Sequence, residues 1–284
     1  MLLKLAGRLT EAQHVLRRGI ALQPDSASAH NNLAVLLSEA GRLEEALASA
    51  HTAVTLDPLH VDSANTLAAI LARQGRSAEA VAAYRKVLAQ RPDHLDAHSN
   101  MLFCMSQMEG IAPEELFAAH RAFGRWLEER LDAPRGWDNV PEPERRLRIG
   151  FVSGDLRNHA VSSFLEPVLQ RLSGRPGVAL YAYYTYPARD AVSERLRGYM
   201  AGWLDAAQLD DDALESAIRA DRIDILIDLS GHSAHNRLPL FARKPAPLQA
   251  TWIGYPFSTG LAAIDYYLTD KFMLPPGRYD HLFS

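Results

Sequence analysis

The sequence predicts two regions of different fold class: an α-helical solenoid of short repeats, then an α/β domain built on a parallel sheet. Three observations predict this. Gly7, Gly41 and Gly75 recur at intervals of 34 residues, as do Ala12, Ala46 and Ala80, and Pro24, Pro58 and Pro92. From about Leu147 that period disappears, and short apolar runs alternate with helical patterns, the order expected of strands joined by crossover helices. Between the two lies APRGWDNVPEPERR, rich in proline and charge and without periodicity.

The composition sets limits on what such a chain does. Its 284 residues suffice for two cores, and 48% hydrophobic with 23% charged residues is ordinary for a globular protein. A net charge of −4 leaves no basic footprint for nucleic acid or an anionic membrane. The single cysteine, Cys104, excludes an internal disulfide framework and any CxxC motif. The opening MLLKLAGRLTEA is too short an apolar run for a signal peptide, and no stretch approaches ~18 apolar residues. The expectation is a cytoplasmic protein with neither membrane nor nucleic-acid partners.

Residues 1–108 read as tetratricopeptide repeats, whose period is 34 and whose unit is two antiparallel helices. In the second repeat, Ala29–Ala40 is helix A, Gly41-Arg42 the turn and Leu43–Leu56 helix B. Gly41 supplies the positive φ of a helix C-cap, and Ala46, Ala50 and Ala53 form a small-residue stripe that lets helices approach. Pro58 stops helix B, having no N–H to donate. Leu67, Leu71, Gly75, Ala80, Tyr84 and Pro92 repeat the logic. Met1 falls inside the first helix A, so the first repeat is expected to be incomplete. A further helix A spans Ala97–Gln107, after which Glu114 and Trp126 break the register. Stacking accounts for most residues here. Asn31, Asn32, Asn65 and Asn100 on successive A helices could also hold an extended peptide through backbone-directed amide bonds.

Residues 109–146 form the connector. Pro113-Glu114-Glu115 opens a helix to about Arg130, with Leu116, Phe117, His120, Phe123, Trp126 and Leu127 on one face, and the Pro-rich linker follows.

Residues 147–284 carry the alternation. Strands are expected at Leu147–Ser153, Val178–Thr185, Ile223–Leu229, Leu248–Gly254 and Asp265–Thr269. Helices are expected at Val161–Leu172, Asp190–Met200 and Asp211–Ala220, with Ser163/Glu166 and Asp212/Glu215 spaced as capping boxes. Ligands of such sheets bind at the carboxyl ends of strands. Three loops lie there: Ser153–Ala160, Ser230–Asn236 and Gly254–Gly260. Each combines glycine with hydroxyl, His or Asn groups. There is no GxGxxG after the first strand, no GxxxxGK[ST], no HExxH and no GxSxG. His232 and His235 lack further metal-ligating partners, and Asp210-Asp211-Asp212 suits a helix start better than a metal site.

The runs RRLRIGFVSGDLRNHAVSSFLEPVL and IDILIDLSGHSAHNRLPLFARKPAPLQATWIGYPFSTGLAAIDYYLTD resemble the O-GlcNAc transferase and SPINDLY-like glycosyltransferases. The resemblance covers the α/β half almost end to end, and KPAPLQATWIGYP (Lys244–Pro256) follows the family's RPAPxQxxWxGYP. It implies a catalytic region of two Rossmann-like lobes in the GT-B arrangement, of which residues 147–284 are the first. It implies transfer of a sugar from a nucleotide donor to Ser or Thr hydroxyls of proteins. His159, in its Asn-His-x-x-Ser context, matches the family's active-site histidine, acting either as general base or by positioning substrate. Asp155, Asn158, His232, Gly254, Tyr255, Pro256, Phe257, Ser258 and Thr259 are the implied substrate contacts. Phe257 stands where many relatives have Gly or Asn, and Lys244 where Arg is common. No cofactor or metal is implied beyond the nucleotide sugar, UDP-GlcNAc or alternatively GDP-fucose, with proteins bound by the repeats as acceptors. Because the second lobe carries most nucleotide contacts in this family, the resemblance implies a fragment without transferase activity of its own. A non-catalytic peptide-binding scaffold remains the alternative of a different class; a nucleotide-regulated adaptor would need a phosphate fingerprint that is absent.

Overall fold

The structure is a computed structural model that describes residues 9–131, 136–142, 144–275, 277 and 280–283. The turn at Gly7, the incomplete first helix A and the chain end at Tyr279 and Ser284 lie outside these residues, as does part of the Pro-rich stretch. The chain divides into two compact units, Met1–Ile111 and Ala112–Ser284.

The first unit is a row of antiparallel helices: α1 (Leu9–Leu22), α2 (Ala27–Glu39), α3 (Leu43–Leu56), α4 (Val61–Arg73), α5 (Ser77–Gln90) and α6 (Leu95–Ser106). The glycine period sets the turns. Gly41 and Gly75 both sit at φ +75, and each closes its A helix with paired bonds. Gly41 N–H donates to Ser38 O and Arg42 N–H to Leu37 O; Gly75 and Arg76 do the same to Ala72 and Leu71. The helix starts also keep the period. Ser26, His60 and His94, 34 apart, accept from the third amide of α2, α4 and α6. These caps start α2 and α6 two residues before the expected Ala29 and Ala97. Ala34, Ala46, Ala50, Ala53, Ala68 and Ala80 are fully buried, which permits the close helix approach. The A helices α2, α4 and α6 also pack on one another, marking the inner side of the row.

The second unit opens with α7 (Pro113–Glu128), so this helix packs with the α/β fold although the sequence sets it apart as a connector. The sheet follows as β1 (Leu147–Ser153), β2 (Val178–Tyr184), β3 (Gly202–Asp205), β4 (Ile225–Asp228), β5 (Leu248–Trp252) and β6 (Tyr266–Leu268). Helices α8 (Ala160–Ser173), α9 (Ala191–Arg197), α10 (Asp211–Ala220) and α11 (Leu238–Ala242) connect them. All pairs are parallel, in the order β3-β2-β1-β4-β5-β6, with Phe151 of β1 between Ala182 and Ile227. This is the doubly wound order, and its switch point lies between β1 and β4. Phe151, Leu165, Leu169, Leu180, Tyr184 and Leu229 form the core between sheet and helices.

Several expectations are corrected. The sequence did not reveal β3 or α11: β3 is four residues at the sheet edge with no β-branched residue, and α11 is one short turn. Helix α8 begins at Ala160 with His159 as N-cap, so Ser163 and Glu166 form no capping box; Glu166 instead pairs with Arg195 at 2.6 Å. Asp210, not Asp212, caps α10, while Asp212 pairs with Arg243 and Glu215 with Arg219. The described part of the expected linker is anchored. Trp137 Nε1 donates to Lys244 O (3.1 Å), Asn139 Nδ2 to Arg222 O (3.0 Å), and Arg145 clasps both oxygens of buried Asp224. Burial would raise the Asp224 carboxyl pKa, but the bonds from Arg145, the Arg148 amide and Asn139 outweigh it and hold it below the usual range. Among the described residues no helix is long and apolar enough to cross a membrane.

Candidate active site

The crevice at the switch point is made by the loops leaving β1, β4 and β5. The first, 154–159, is tied down from both sides. Asp155 N–H donates to Ser153 Oγ (2.9 Å), Ser162 Oγ donates to Asp155 O (2.7 Å), and Asn158 N–H donates to Asp190 Oδ2 (2.7 Å). The Asn158 and Ser193 amides hold the Asp190 carboxyl below its ordinary range. His159 ends this loop in extended backbone, and its Nδ1 accepts from Val161 N–H at 3.3 Å. Asp155 is buried with Oδ2 3.7 Å from the same nitrogen; the His159 ring and Asn158 are exposed.

The rim beside this loop was not legible in sequence. The Arg157 guanidinium stacks on Tyr186 at 4.3 Å, and the Tyr186 ring meets His235 edge-on at 5.1 Å. His235 lies at φ 61, with its carbonyl held by Thr185 Oγ1. Only glycine fits at 154, where a Cβ would lie 2.8 Å from that of His235.

The loop after β4 turns on Asp228. Its buried carboxylate accepts from the Ser230 and Gly231 amides and from Thr251 Oγ1 (2.7 Å), joining β4 to β5. Burial pushes this carboxyl's pKa up against those bonds. An acid ending the apolar run IDILIDL was the available signal. His232 is buried and donates from Nε2 to Thr259 O (2.9 Å), so its side chain braces the next loop rather than facing the crevice.

The loop after β5 presents backbone more than side chains. Gly254 lies so close to Leu229 O that a Cβ would be 1.8 Å away. The Tyr255 ring is buried and its hydroxyl meets His120 Nε2 at 2.9 Å. Ser258 and Thr259 are buried too, with their hydroxyls accepting from Gly260 and Leu261 amides. Phe257 packs against His120 and Phe283, each at 5.2 Å, so its bulk is directed inward. Pro256 is exposed and Gly254 half-buried. Lys244 serves the base of this loop, donating to Ala263 O (3.0 Å) and pairing with Asp265. Of the loop residues singled out in sequence, Asn158, His159 and Pro256 are exposed and Gly254 is half-buried, while Asp155, His232, Tyr255, Ser258 and Thr259 are buried within the loops. His120, part of an apolar helix face in sequence, is the residue whose role that pattern concealed. Among the described residues, no group of three or more His, Cys, Asp or Glu is placed to hold a metal.

In the repeats, Asn32 is exposed, and Asn31 Oδ1 and Asn65 Oδ1 are buried without a hydrogen-bond partner. Asn100 bonds to the Tyr84 hydroxyl.

Known proteins resemble the chain in both units. Tetratricopeptide-repeat profiles match residues 5–60 and 36–94. A probable UDP-N-acetylglucosamine–peptide N-acetylglucosaminyltransferase, SPINDLY of Arabidopsis thaliana, is 38% identical over 188 residues, 63% of this chain and 20% of its own length. The SPINDLY protein of Petunia hybrida is 40% identical over the same number of residues and the same shares. The chain therefore spans about a fifth of the length of these curated relatives. A solved structure of a mutant Thermobaculum terrenum O-GlcNAc transferase superposes with a TM-score of 0.89 and 34% identity, covering 99% of this chain and 54% of that one. The profile of glycosyl transferase family 41 matches residues 133–284, the stretch that builds the crevice, and the chain belongs to that family.

Proposed function

We propose that this chain supplies the repeats and the acceptor-side lobe of a protein O-glycosyltransferase. It would move GlcNAc from UDP-GlcNAc to Ser or Thr hydroxyls. The observation that carries the reading is His159 at the switch-point crevice, inside the family match and capping α8. Its relatives' names favour GlcNAc over fucose as the sugar.

In the reaction the acceptor oxygen bonds to the anomeric carbon, the bond from that carbon to the diphosphate breaks, and the hydroxyl proton must leave. His159 Nδ1 accepts from Val161 N–H, so a neutral ring carries its proton on Nε2. That nitrogen then donates a hydrogen bond into the crevice and orients an oxygen there; it has no lone pair with which to take the acceptor proton. The proton passes instead to another base, for which a donor phosphate oxygen is the nearest chemical candidate. Asn158 and the exposed backbone around Gly254-Tyr255-Pro256 would line the sugar and the acceptor. Protein acceptors would lie along the A helices, where Asn32 is exposed. A cytoplasmic location accords with a single, buried, free cysteine.

The test is sugar transfer to peptide and protein acceptors, followed by mass spectrometry, with UDP-GlcNAc and GDP-fucose offered separately. The natural full-length protein, its His159→Ala variant and the 284-residue chain are compared. GlcNAc on Ser or Thr, lost in the variant, is expected. Transfer of fucose alone would replace the donor, and transfer of neither sugar by a folded protein would remove the reading in favour of a binding scaffold.

A further inference from the structure

We propose that His120 is a positioning residue for the crevice: acting through Tyr255, it sets the segments 230–232 and 254–260 in register with each other. Its consequence for sugar transfer rests on the reading above; the positioning itself does not.

The argument begins with α7. Its buried face consists of Leu116, His120, Phe123, Gly124 and Leu127. It meets the 254–263 segment backbone to backbone: a Cβ at Gly260 would lie 1.9 Å from His120 O, and one at Gly124 would lie 1.9 Å from Gly260 O. Arg121 donates to Gly260 O (2.9 Å), and Glu128 accepts from Ala263 N–H (2.9 Å). The segment after β5 is thus seated on a helix that precedes the whole sheet in sequence.

His120 is the polar centre of this seat. Its Nδ1–H donates to Leu116 O in its own helix at 2.7 Å, which fixes both ring orientation and tautomer. Nε2 therefore carries the lone pair and accepts from the Tyr255 hydroxyl at 2.9 Å. The Tyr255 ring is in turn a wedge between two loops. Gly231, at φ +52, rests on it so closely that a Cβ would be 2.2 Å from Tyr255 Cβ. The His232 ring meets it at 5.3 Å, and the His120 ring meets His232 at 5.1 Å. His232 then donates to Thr259 O, which closes the circuit between the segments. His120 has no exposed surface and so touches no substrate; any influence passes through the rings it meets, Tyr255, His232 and Phe257. A phenyl ring would fill the same space without accepting the hydroxyl. That difference in chemistry separates orientation from packing.

The experiment compares wild type with His120→Phe, Tyr255→Phe, their double variant and His120→Gln, whose Oε1 can accept from Tyr255. Amide hydrogen exchange is read in peptides covering 230–232 and 254–260, with β1 and β2 as internal reference. Transfer kinetics are read in the natural full-length protein. His120→Phe and Tyr255→Phe should each speed exchange in both segments about tenfold or more, the consequence of deleting the buried bond between the two side chains. The double variant should add little, because both changes delete one bond. His120→Gln should stay near wild type in exchange, and in kcat/KM where transfer occurs. The proposal is overturned if His120→Phe leaves the two segments unchanged. It is equally overturned if β1 and β2 loosen in step, if His120→Gln behaves like His120→Phe, or if the two single effects simply add. A wild-type protein that transfers no sugar would sink the transferase reading and leave the exchange result to decide the positioning.

Discussion

Burying an imidazole as His120 is buried carries a cost that shows only in acid. Desolvation lowers its pKa from 6.5 to about 4, opposed by its bond to Leu116 O. The folded state therefore binds fewer protons than the unfolded chain between those two values. Stability rises with pH across that window and falls as pH drops from 6.5 towards 4. At about pH 4.5, linkage with these two values gives a loss of roughly 2–3 kcal/mol relative to neutral pH. His120→Phe cannot charge. At neutral pH it should be less stable by about 1–3 kcal/mol, because the buried bond between His120 and Tyr255 is lost. Acidification should erase most of that difference. Groups that face His120 or lie close by, His232, Tyr255 and Arg121, are present in both proteins, as are all carboxylates, so the comparison isolates His120.

Urea unfolding followed by tryptophan fluorescence measures this in the correct unit. The four tryptophans, Trp126, Trp137, Trp203 and Trp252, all fall within Ala112–Ser284, so the repeats are silent. The expected result is two stability–pH curves that converge towards about pH 4.5. Curves that stay parallel from neutral pH to that point would refute the buried neutral histidine.

The remaining predictions are read by the same urea titration, followed by far-UV circular dichroism where the variant lies in the repeats. Gly260→Ala should cost about 3 kcal/mol or more, since its Cβ would meet the His120 carbonyl and its φ is +81, whereas Gly41→Ala, with open space and only φ +75 to strain it, should cost about 1–2 kcal/mol. Arg145→Ala should destabilise the α/β unit by leaving Asp224 with only the Asn139 and Arg148 amide bonds, and urea titration of the variant checks it. The Asp224 carboxyl lies below its usual range when folded, so its contribution is present above the ordinary carboxylate pKa and fades as pH falls through the lower folded value. Asp210→Ala should cost about 1 kcal/mol through loss of the α10 cap, while Asp212→Ala, touching an exposed pair, should cost less; equal losses would restore the capping box read from sequence.

The repeat unit was almost fully legible in sequence because its rules are local. Gly41 and Gly75 must be glycine for a left-handed turn, and the buried alanines are small because neighbouring helices press on them. Such constraints recur every 34 residues and reinforce one another. The sheet was legible where apolar runs are long, as in β1 and β2, whose bounds agree within a residue. It was illegible at β3, whose strand character comes from pairing with β2 and not from its own residues. The capping boxes failed for a related reason. Spacing shows that Ser163 and Glu166, or Asp212 and Glu215, can face each other, but Arg195, Arg243 and Arg219 compete for the same carboxylates.

The site shows the limit in a sharper form. Loop composition located the crevice, since glycine, hydroxyl and histidine groups gather at the ends of β1, β4 and β5. It did not tell which polar side chains face out. Ser258 and Thr259 point inward because their hydroxyls accept from the loop's own Gly260 and Leu261 amides, His232 because it donates to the Thr259 carbonyl, and Tyr255 because its hydroxyl meets His120. The residue that secures Tyr255 is remote in sequence. A histidine on α7 can reach Tyr255 only because Gly124 and Gly260 let two backbones touch, and neither glycine has a periodic partner that would announce it. Polar residues in a loop of this kind therefore divide by the direction of their hydrogen bonds, which tertiary contact decides. His159 falls on the outward side because the N-terminus of α8 occupies only one of its nitrogens.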